Sequence, residues 1–301
     1  MSRFDALDLG LVVAAHGRHV IVETPEGRRV LCHPRGKKSD LVVGDRVRWQ
    51  PTGDGGVIEH IETRRNLLFR QDEWRTKSFA ANLDQMIMLV AGEPVFSERQ
   101  LTRALIAAAQ ADIPACIGLN KIDLPATDAA RERLRPYAAM GIEIVELAIK
   151  ARPLEALANL QQRLAGKTTL VLGPSGAGKS TLINLLVPQA AAQIGDISVA
   201  LGTGRHTTTS TTWYWLDDAR SGALIDSPGF QEFGLRQIEA TSLAALMPDI
   251  ATHLGHCRFN NCTHRQEPNC GVRDALERGE ISESRYRIYT ELFDELTTRS
   301  F

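Results

Sequence analysis

Apolar residues in the first 72 positions fall in short runs broken by turn residues. Leu11-Val-Val, Val20-Ile-Val, Val30-Leu-Cys, Arg46-Val-Arg-Trp and Val57-Ile-Glu-His-Ile are divided by Gly17, Pro25-Glu-Gly27, Pro34-Arg-Gly36 and Thr52-Gly-Asp-Gly-Gly56. Runs of this length rich in Val and Ile, set between turn clusters, predict strands. Five strands in ~60 residues predict a small closed barrel, of the OB-fold type or, alternatively, SH3-like.

From about residue 83 to residue 230 the period changes. Asp84–Gly92, Ala115–Asn120, Ile142–Leu147, Thr168–Gly173, Trp213–Asp217 and Ala223–Asp226 read as strands. Between them, Glu98–Ala111, Asp128–Met140, Pro153–Leu164 and Lys179–Leu186 read as helices. Such alternation predicts a doubly wound, mostly parallel sheet. Past residue 236 the pattern is helical again, interrupted by a Cys- and His-rich loop at 256–270. The division expected is therefore a barrel over 1–72, an α/β domain over 73–235 and a helical domain over 236–301.

Composition adds exclusions. The chain has 301 residues, 43% hydrophobic and 24% charged, which is not the make-up of a disordered, collagen-like or disulfide-scaffold protein. No stretch reaches the ~18–20 apolar residues of a membrane span. Met1-Ser-Arg-Phe-Asp-Ala-Leu-Asp carries acidic residues and no apolar core, so no secretory signal is expected and the chain reads as cytoplasmic, with reduced thiols. A net charge of -1 gives no sign of a nucleic-acid partner, but the total hides an uneven distribution. Residues 1–75 hold 13 Lys and Arg against 11 Asp and Glu, a net of +2, bunched at Arg28-Arg29, Arg35 with Lys37-Lys38, and Arg64-Arg65.

Gly173-Pro-Ser-Gly-Ala-Gly-Lys-Ser180 fits G-x-x-x-x-G-K-[ST], and it lies between an apolar strand and the apolar helix that begins near Thr181. The glycines let the backbone of Gly173, Pro174, Ser175, Gly176, Ala177 and Gly178 curl so that N–H groups face a phosphate at a helix N-terminus. Lys179 is expected to reach the β- and γ-phosphates, and the Ser180 hydroxyl to ligate Mg²⁺. This is a P-loop.

Asn120-Lys121-Ile122-Asp123 follows the strand Ala115-Cys-Ile-Gly-Leu. The Asp123 carboxylate can accept from the N1–H and N2–H₂ edge of guanine, a donor pair adenine lacks. Asn120 can address the O6/N7 side, and the Lys121 stem can lie over the base. The partner loop for the base falls at Ala148-Ile149-Lys150, where GTPases usually have Ser-Ala-Lys. Asp226-Ser-Pro-Gly229 closes the strand Ala223-Leu-Ile; Asp226 suits Mg²⁺, directly or through water, and the Gly229 N–H suits the γ-phosphate. Between the P-loop and Asp226 lies Gly202-Thr-Gly-Arg-His-Thr-Thr-Thr209, a polar segment suited to a switch loop. There Thr207 or Thr208 is the expected second Mg²⁺ hydroxyl, with Thr208 preferred. The base motif precedes the P-loop, the reverse of the usual order, so the domain is circularly permuted, a change that termini close together at a domain surface permit. The segment after Asp226 then runs directly into the C-terminal region.

That region holds Cys257, Cys262, His264 and Cys270 within 14 residues, spaced C-x₄-C-x-H-x₅-C. Three thiolates and an imidazole suit a closed, structural tetrahedral Zn²⁺. His253 and His256 read as surface residues, and Cys32 and Cys116 as small buried hydrophobes inside strands.

The barrel, the permuted motif order, the Gly-Arg-His-Thr-Thr-Thr segment and the Cys₃His loop together resemble the bacterial family of ribosome small subunit-dependent GTPase A, over essentially the full length. Val43-Gly-Asp-Arg-Val47, Gly271-Val, Tyr286 and Tyr289 also look like that family. Two departures are the Ala148-Ile149-Lys150 loop and a barrel that begins almost at Met1, without a basic N-terminal arm. The resemblance implies a monomeric GTPase, binding GTP or GDP, that docks on the nearly mature small ribosomal subunit, is activated there and leaves after hydrolysis. It makes Arg28, Arg29, Arg35, Lys37 and Lys38 the expected rRNA contacts, since OB-like barrels bind RNA through strand faces and loops.

Many GTPases place a Gln after the D-x-x-G glycine to orient the attacking water. Phe230 stands there and cannot do so. Slow intrinsic hydrolysis is expected, with His206 positioning the water once the subunit orders its loop. Two other classes share these motifs: a GTP-binding placeholder with negligible hydrolysis, and an ATP-dependent P-loop enzyme with an incidental Asn-Lys-Ile-Asp. Turnover with small subunits separates the first, and competition between GDP and ADP the second.

Overall fold

The computed structural model describes residues 4, 6–16, 19–36, 40–53, 55–71, 76–190, 211–227, 233–235 and 237–298. The expected sites at Lys37, Lys38, His206, Thr207, Thr208, Gly229 and Phe230 lie outside them.

Five strands form the barrel: β1 (Asp8–His16), β2 (His19–Glu23), β3 (Arg29–Pro34), β4 (Arg46–Thr52) and β5 (Gly55–Ile61). They pair in the order β1-β2-β3-β5-β4, and β4 returns to β1 through Asp8–Trp49 to Leu11–Arg46, which closes the barrel. Val12, Val20, Val22, Cys32, Val47, Trp49 and Ile58 fill its interior. Asp45 of the Val43-Gly-Asp-Arg-Val47 motif is fully buried, and it accepts from the Val42 N–H at 2.9 Å and the Arg64 Nε at 2.7 Å.

A hairpin follows, β6 (Leu67–Gln71) with β7 (Thr76–Ala81), paired from Leu67–Ala81 to Gln71–Thr76. Its strands lie on either side of position 72, where the sequence pattern ends the barrel. The α/β domain continues with β8 (Gln85–Ala91), α1 (Glu98–Gln110), β9 (Ala115–Asn120), α2 (Thr127–Ala139), β10 (Ile144–Leu147), α3 (Pro153–Leu164), β11 (Thr168–Leu172), α4 (Lys179–Leu186), β12 (Thr212–Trp215) and β13 (Ala223–Asp226). Its strand order is β10-β9-β8-β11-β13-β12, parallel except for β12. The predicted strands and helices of this domain are all present, with ends shifted by three residues or fewer.

Period-2 alternation explains how one sheet carries two cores. On β8, Met86, Met88 and Val90 face α1, α2 and the C-terminal helices, while Ile87 and Leu89 face α3 and α4. Each such side chain contributes roughly 1.5–3 kcal/mol when fully buried. The C-terminal region comprises short 3₁₀ turns, α5 (Pro248–Ala251), α6 (Gly271–Glu277) and α7 (Glu283–Thr298). Arg285 of α7 is 2% exposed and bonds both oxygens of Asp249 at 2.7 and 3.0 Å, while its guanidinium lies 5.0 Å over the Tyr137 ring of α2. Among the described residues, no helix is long and apolar enough to cross a membrane.

The sequence pattern gives no hint of one feature. β1 also pairs with β12 at Ala14–Thr212, so barrel and α/β domain share one eleven-stranded sheet.

Candidate functional site

The carboxyl ends of β9, β10, β11 and β13 open on a cleft of about 950 Å³. Open parallel sheets bind ligands at this edge, because the loops leaving the strands converge there. Asn120, Lys121, Asp123, Lys150, Ser175, Gly176, Gly178, Lys179, Ser180, Thr181 and Asp226 line it, together with Ser227 and Ala151. Motifs about fifty residues apart in the chain thus meet in one site.

The P-loop leaves β11 at Gly173, with φ +155°, and enters α4 through Gly178, with φ +105°. Both positions need glycine for space as well as for angle. A Cβ on Gly173 would run into the Leu89 carbonyl, and one on Gly178 into the Asn120 amide. Within the loop, the Ala177 N–H donates to the Pro174 carbonyl at 3.2 Å. The Lys179 Nζ spans the loop to the Gly173 carbonyl at 2.6 Å and the Pro174 carbonyl at 3.4 Å. Ser180 and Thr181, in the first turn of α4, are exposed toward the cleft.

Asn120 is 4% exposed, and both ends of its amide are engaged. Its Nδ2 donates to the Ala177 carbonyl at 2.9 Å and its Oδ1 accepts from the Ile149 N–H at 3.2 Å. The side chain that the sequence pattern assigns to the guanine O6/N7 edge therefore ties the P-loop to the base loop. Lys121, with φ +63°, sends its Nζ to the Glu93 carbonyl at 2.7 Å, crossing the loop that leaves β8. Thr127 Oγ1 donates to the Leu124 carbonyl at 2.7 Å, closing the turn that presents Asp123. In the departing loop Ala148-Ile149-Lys150, Ala148 and Ile149 are buried while Lys150 reaches the cleft.

Asp226 is 8% exposed, and burial lifts its carboxyl to about 6, although the Lys179 ammonium pulls it downward. Desolvation lowers Lys179 in turn, with Asp226 opposing. A hard carboxylate and a hydroxyl facing the same cleft suit Mg²⁺, which takes oxygen ligands and keeps waters.

A second constellation lies in the C-terminal region. The ligand atoms of Cys257, Cys262, His264 and Cys270 all lie within 4.8 Å of one another. His264 Nδ1 is 3.4 Å from the Cys257 Sγ and 3.5 Å from the Cys270 Sγ, and the two sulfurs are 3.9 Å apart. Zn–S bonds of about 2.3 Å and Zn–N bonds of about 2.0 Å at tetrahedral angles put donors about 3.5–3.8 Å apart. The set fits zinc. Glu267, which the ligand spacing alone does not single out, organises the loop: it accepts from the Thr263 N–H and Oγ1 at 2.6 and 2.7 Å and from the Arg265 and Gln266 N–H groups at 3.0 and 3.1 Å. Those bonds hold its carboxyl far below the usual range despite desolvation. Tyr286 and Tyr289 of α7 fasten the loop by donating to the His264 and Thr263 carbonyls at 2.8 and 2.9 Å. His253 and His256 lie outside the ligand set.

The basic candidates differ in their surroundings. Arg28 is exposed, Arg29 pairs with Glu23 at 3.0 Å, and Arg35 pairs with Glu59 at 2.7 Å while staying 70% exposed. Cys32 is fully buried, and burial raises its thiol to about 12; Cys116, half-buried in β9, is raised to about 11.

Comparison with known proteins agrees with this arrangement. The family model for the RsgA GTPase matches residues 61–236. The small ribosomal subunit biogenesis GTPase RsgA of Variovorax paradoxus is 60% identical over 96% of this chain and 92% of its own length. The chain belongs to the RsgA GTPase family. The RsgA of Burkholderia pseudomallei strain K96243 is 52% identical over 95% of this chain and 91% of its own. Two solved structures share the RsgA fold along the chain. YjeQ from Thermotoga maritima has a TM-score of 0.72 and 33% identity, covering 97% of this chain and 99% of its own. YloQ, described as a circularly permuted GTPase, has 0.70 and 26%, covering 100% and 99%. The permuted order of Asn120–Asp123 and the P-loop is thus in keeping with an RsgA GTPase.

Proposed function

We propose that this protein binds and hydrolyses GTP on the small ribosomal subunit late in the subunit's maturation, contacting rRNA through the barrel and the C-terminal domain. The observation that carries the reading is the meeting of Asn120–Asp123 with the P-loop in one cleft, on a chain that belongs to the RsgA GTPase family. The relatives' printed name, small ribosomal subunit biogenesis GTPase, supports the partner.

In this reading Asp123 accepts from the guanine N1–H and N2–H₂, and the Lys121 stem covers the base. Asn120 keeps the P-loop and the 148–150 loop at a fixed separation, so base and phosphates are read together. The N–H groups of Gly173–Gly178 and the Lys179 ammonium hold the phosphates. Ser180, Asp226 and Thr208 would hold Mg²⁺, which would supply positive charge against the negative charge that develops on the phosphates during transfer. The Gly229 N–H meets the γ-phosphate. His206 orients the attacking water, the task that Phe230 cannot perform. Zn²⁺ on Cys257, Cys262, His264 and Cys270 would fix the C-terminal loop and, with no open position, take no part in the reaction. The protein acts as a monomer in the cytoplasm.

Competition binding tests the nucleotide class. GDP displaces a labelled guanine nucleotide and ADP does not, and Asp123→Asn moves the preference toward xanthine nucleotides. Equal displacement by ADP would instead mark an ATP-dependent enzyme.

A further inference from the structure

The barrel holds both ends of β12. At one end, Ala14 of β1 pairs with Thr212, and Thr212 is also the register partner of Asp226 on β13. Ala14, Thr212 and Asp226 lie side by side across three strands, so the barrel stands one strand away from the D-x-x-G carboxylate. At the other end, Glu23 closes β2 at 5% exposure, with two hydrogen-bond donors and a third cationic group around its carboxylate. The Trp215 Nε1, from the last residue of β12, donates to Glu23 Oε1 at 2.7 Å. The Arg29 Nε donates to Oε2 at 3.0 Å, and Arg220 Nη1, from the β12–β13 turn, lies 3.7 Å from Oε1. Arg220 also donates to the Pro25 carbonyl at 3.1 Å, and a side chain at Gly27 would run into its guanidinium.

A carboxylate this far from water is stable only when its oxygens are paired, and charge-assisted bonds are the strong ones. Glu23 is absent from the lining of the nucleotide cleft, so its reach to that cleft runs through the groups it holds. We propose that Glu23 is a positioning residue for hydrolysis: from the barrel it fixes β12, and through the Thr212–Asp226 pairing it sets where Asp226 stands relative to the P-loop. The role rests on the GTPase reading above. It predicts an effect on the Mg²⁺-dependent step and none on guanine recognition, because Asp123 and the P-loop leave β9 and β11.

Two variants test it. Glu23→Gln keeps an acceptor for Trp215 and removes the charge, whereas Trp215→Phe keeps the ring and deletes the donor. Wild type and both variants are compared in single-turnover GTP hydrolysis across a Mg²⁺ series with saturating small subunits, in GDP affinity, and in amide hydrogen exchange of the nucleotide-free protein. Both variants lower the hydrolysis rate by about threefold or more, the range expected for residues coupled to a site from outside it. They also raise the Mg²⁺ concentration at half-maximal rate and lose amide protection in β12 and β13, with GDP affinity unchanged. A variant with wild-type melting, GDP affinity, rate and Mg²⁺ dependence overturns the positioning role; if Glu23→Gln does not fold, Trp215→Phe decides by the same readings. A wild type that hydrolyses no GTP in that assay overturns the GTPase reading and the role together, whereas unchanged variants beside an active wild type overturn the role alone.

Discussion

At Asp226 the folded protein raises a carboxyl to about 6, against an ordinary value of 3.8, chiefly by burial. The stability consequence has a definite sign. Well below pH 4 the group is protonated whether the chain is folded or not, and burial costs nothing. As pH rises toward 6 the unfolded chain deprotonates first and the fold loses stability, and above 6 the whole penalty, on the order of 1–3 kcal/mol, is present. Asp226→Asn therefore stabilises the nucleotide-free protein more at pH 8 than at pH 4, while abolishing Mg²⁺-dependent turnover. Chemical denaturation at the two pH values, with a GTPase assay alongside, checks both halves. Functional sites commonly carry such a trade of stability for activity. A second expectation concerns His206, which lies outside the described residues. His206→Ala keeps GDP affinity and loses most of the subunit-stimulated rate, and a variant retaining full stimulated turnover would remove His206 from the mechanism.

Among the elements, the Cys₃His loop and α7 form one unit, since Tyr286 and Tyr289 hold the carbonyls of His264 and Thr263. A metal that closes such a loop contributes folding free energy directly. Chelation with a strong zinc ligand, or Cys257→Ser, is expected to release zinc and lower the melting temperature of the C-terminal region, while GDP binding persists because, among the described residues, the cleft draws no side chain from it. Metal analysis beside a melting curve reads this directly. How legible each element is follows from how local its information is. The P-loop and the zinc loop stand within eight and 14 residues of sequence, so spacing alone reveals them. The hairpin β6–β7 is missed because Asp72-Glu73-Trp74-Arg75 carries none of the Gly, Pro or Asn that mark a turn. The structural task of Asn120 is equally hidden, since its partners Ala177 and Ile149 are 57 and 29 residues away.

Over the whole molecule, the barrel and the C-terminal region join the α/β domain on either side of Asp226. The barrel grips β12, which follows Gly202–Thr209 in the sequence, through Glu23 and Ala14. The C-terminal helix reaches the other side: fully buried Arg103 of α1 donates to the Phe233 carbonyl at 2.7 Å and pairs with Glu295 of α7 at 2.7 Å. Phe233 stands seven residues after Asp226. Circular permutation makes this second link possible, because the chain leaving Asp226 enters the C-terminal domain. Neither link can be read from the sequence, where Glu23 and Arg103 look like ordinary surface charges on a strand and a helix. A net charge of -1 over the chain likewise conceals the +2 of residues 1–75, the part expected to meet rRNA phosphates. Docking on the small subunit is expected to switch on GTP hydrolysis, and GTP turnover measured against a titration of small subunits at two salt concentrations reads this out. Basal turnover is expected to be slow, with a saturable stimulation whose midpoint moves to higher subunit concentration as salt rises, as phosphate contacts require. Turnover that stays at the basal rate at saturating small subunits would rule out activation by docking.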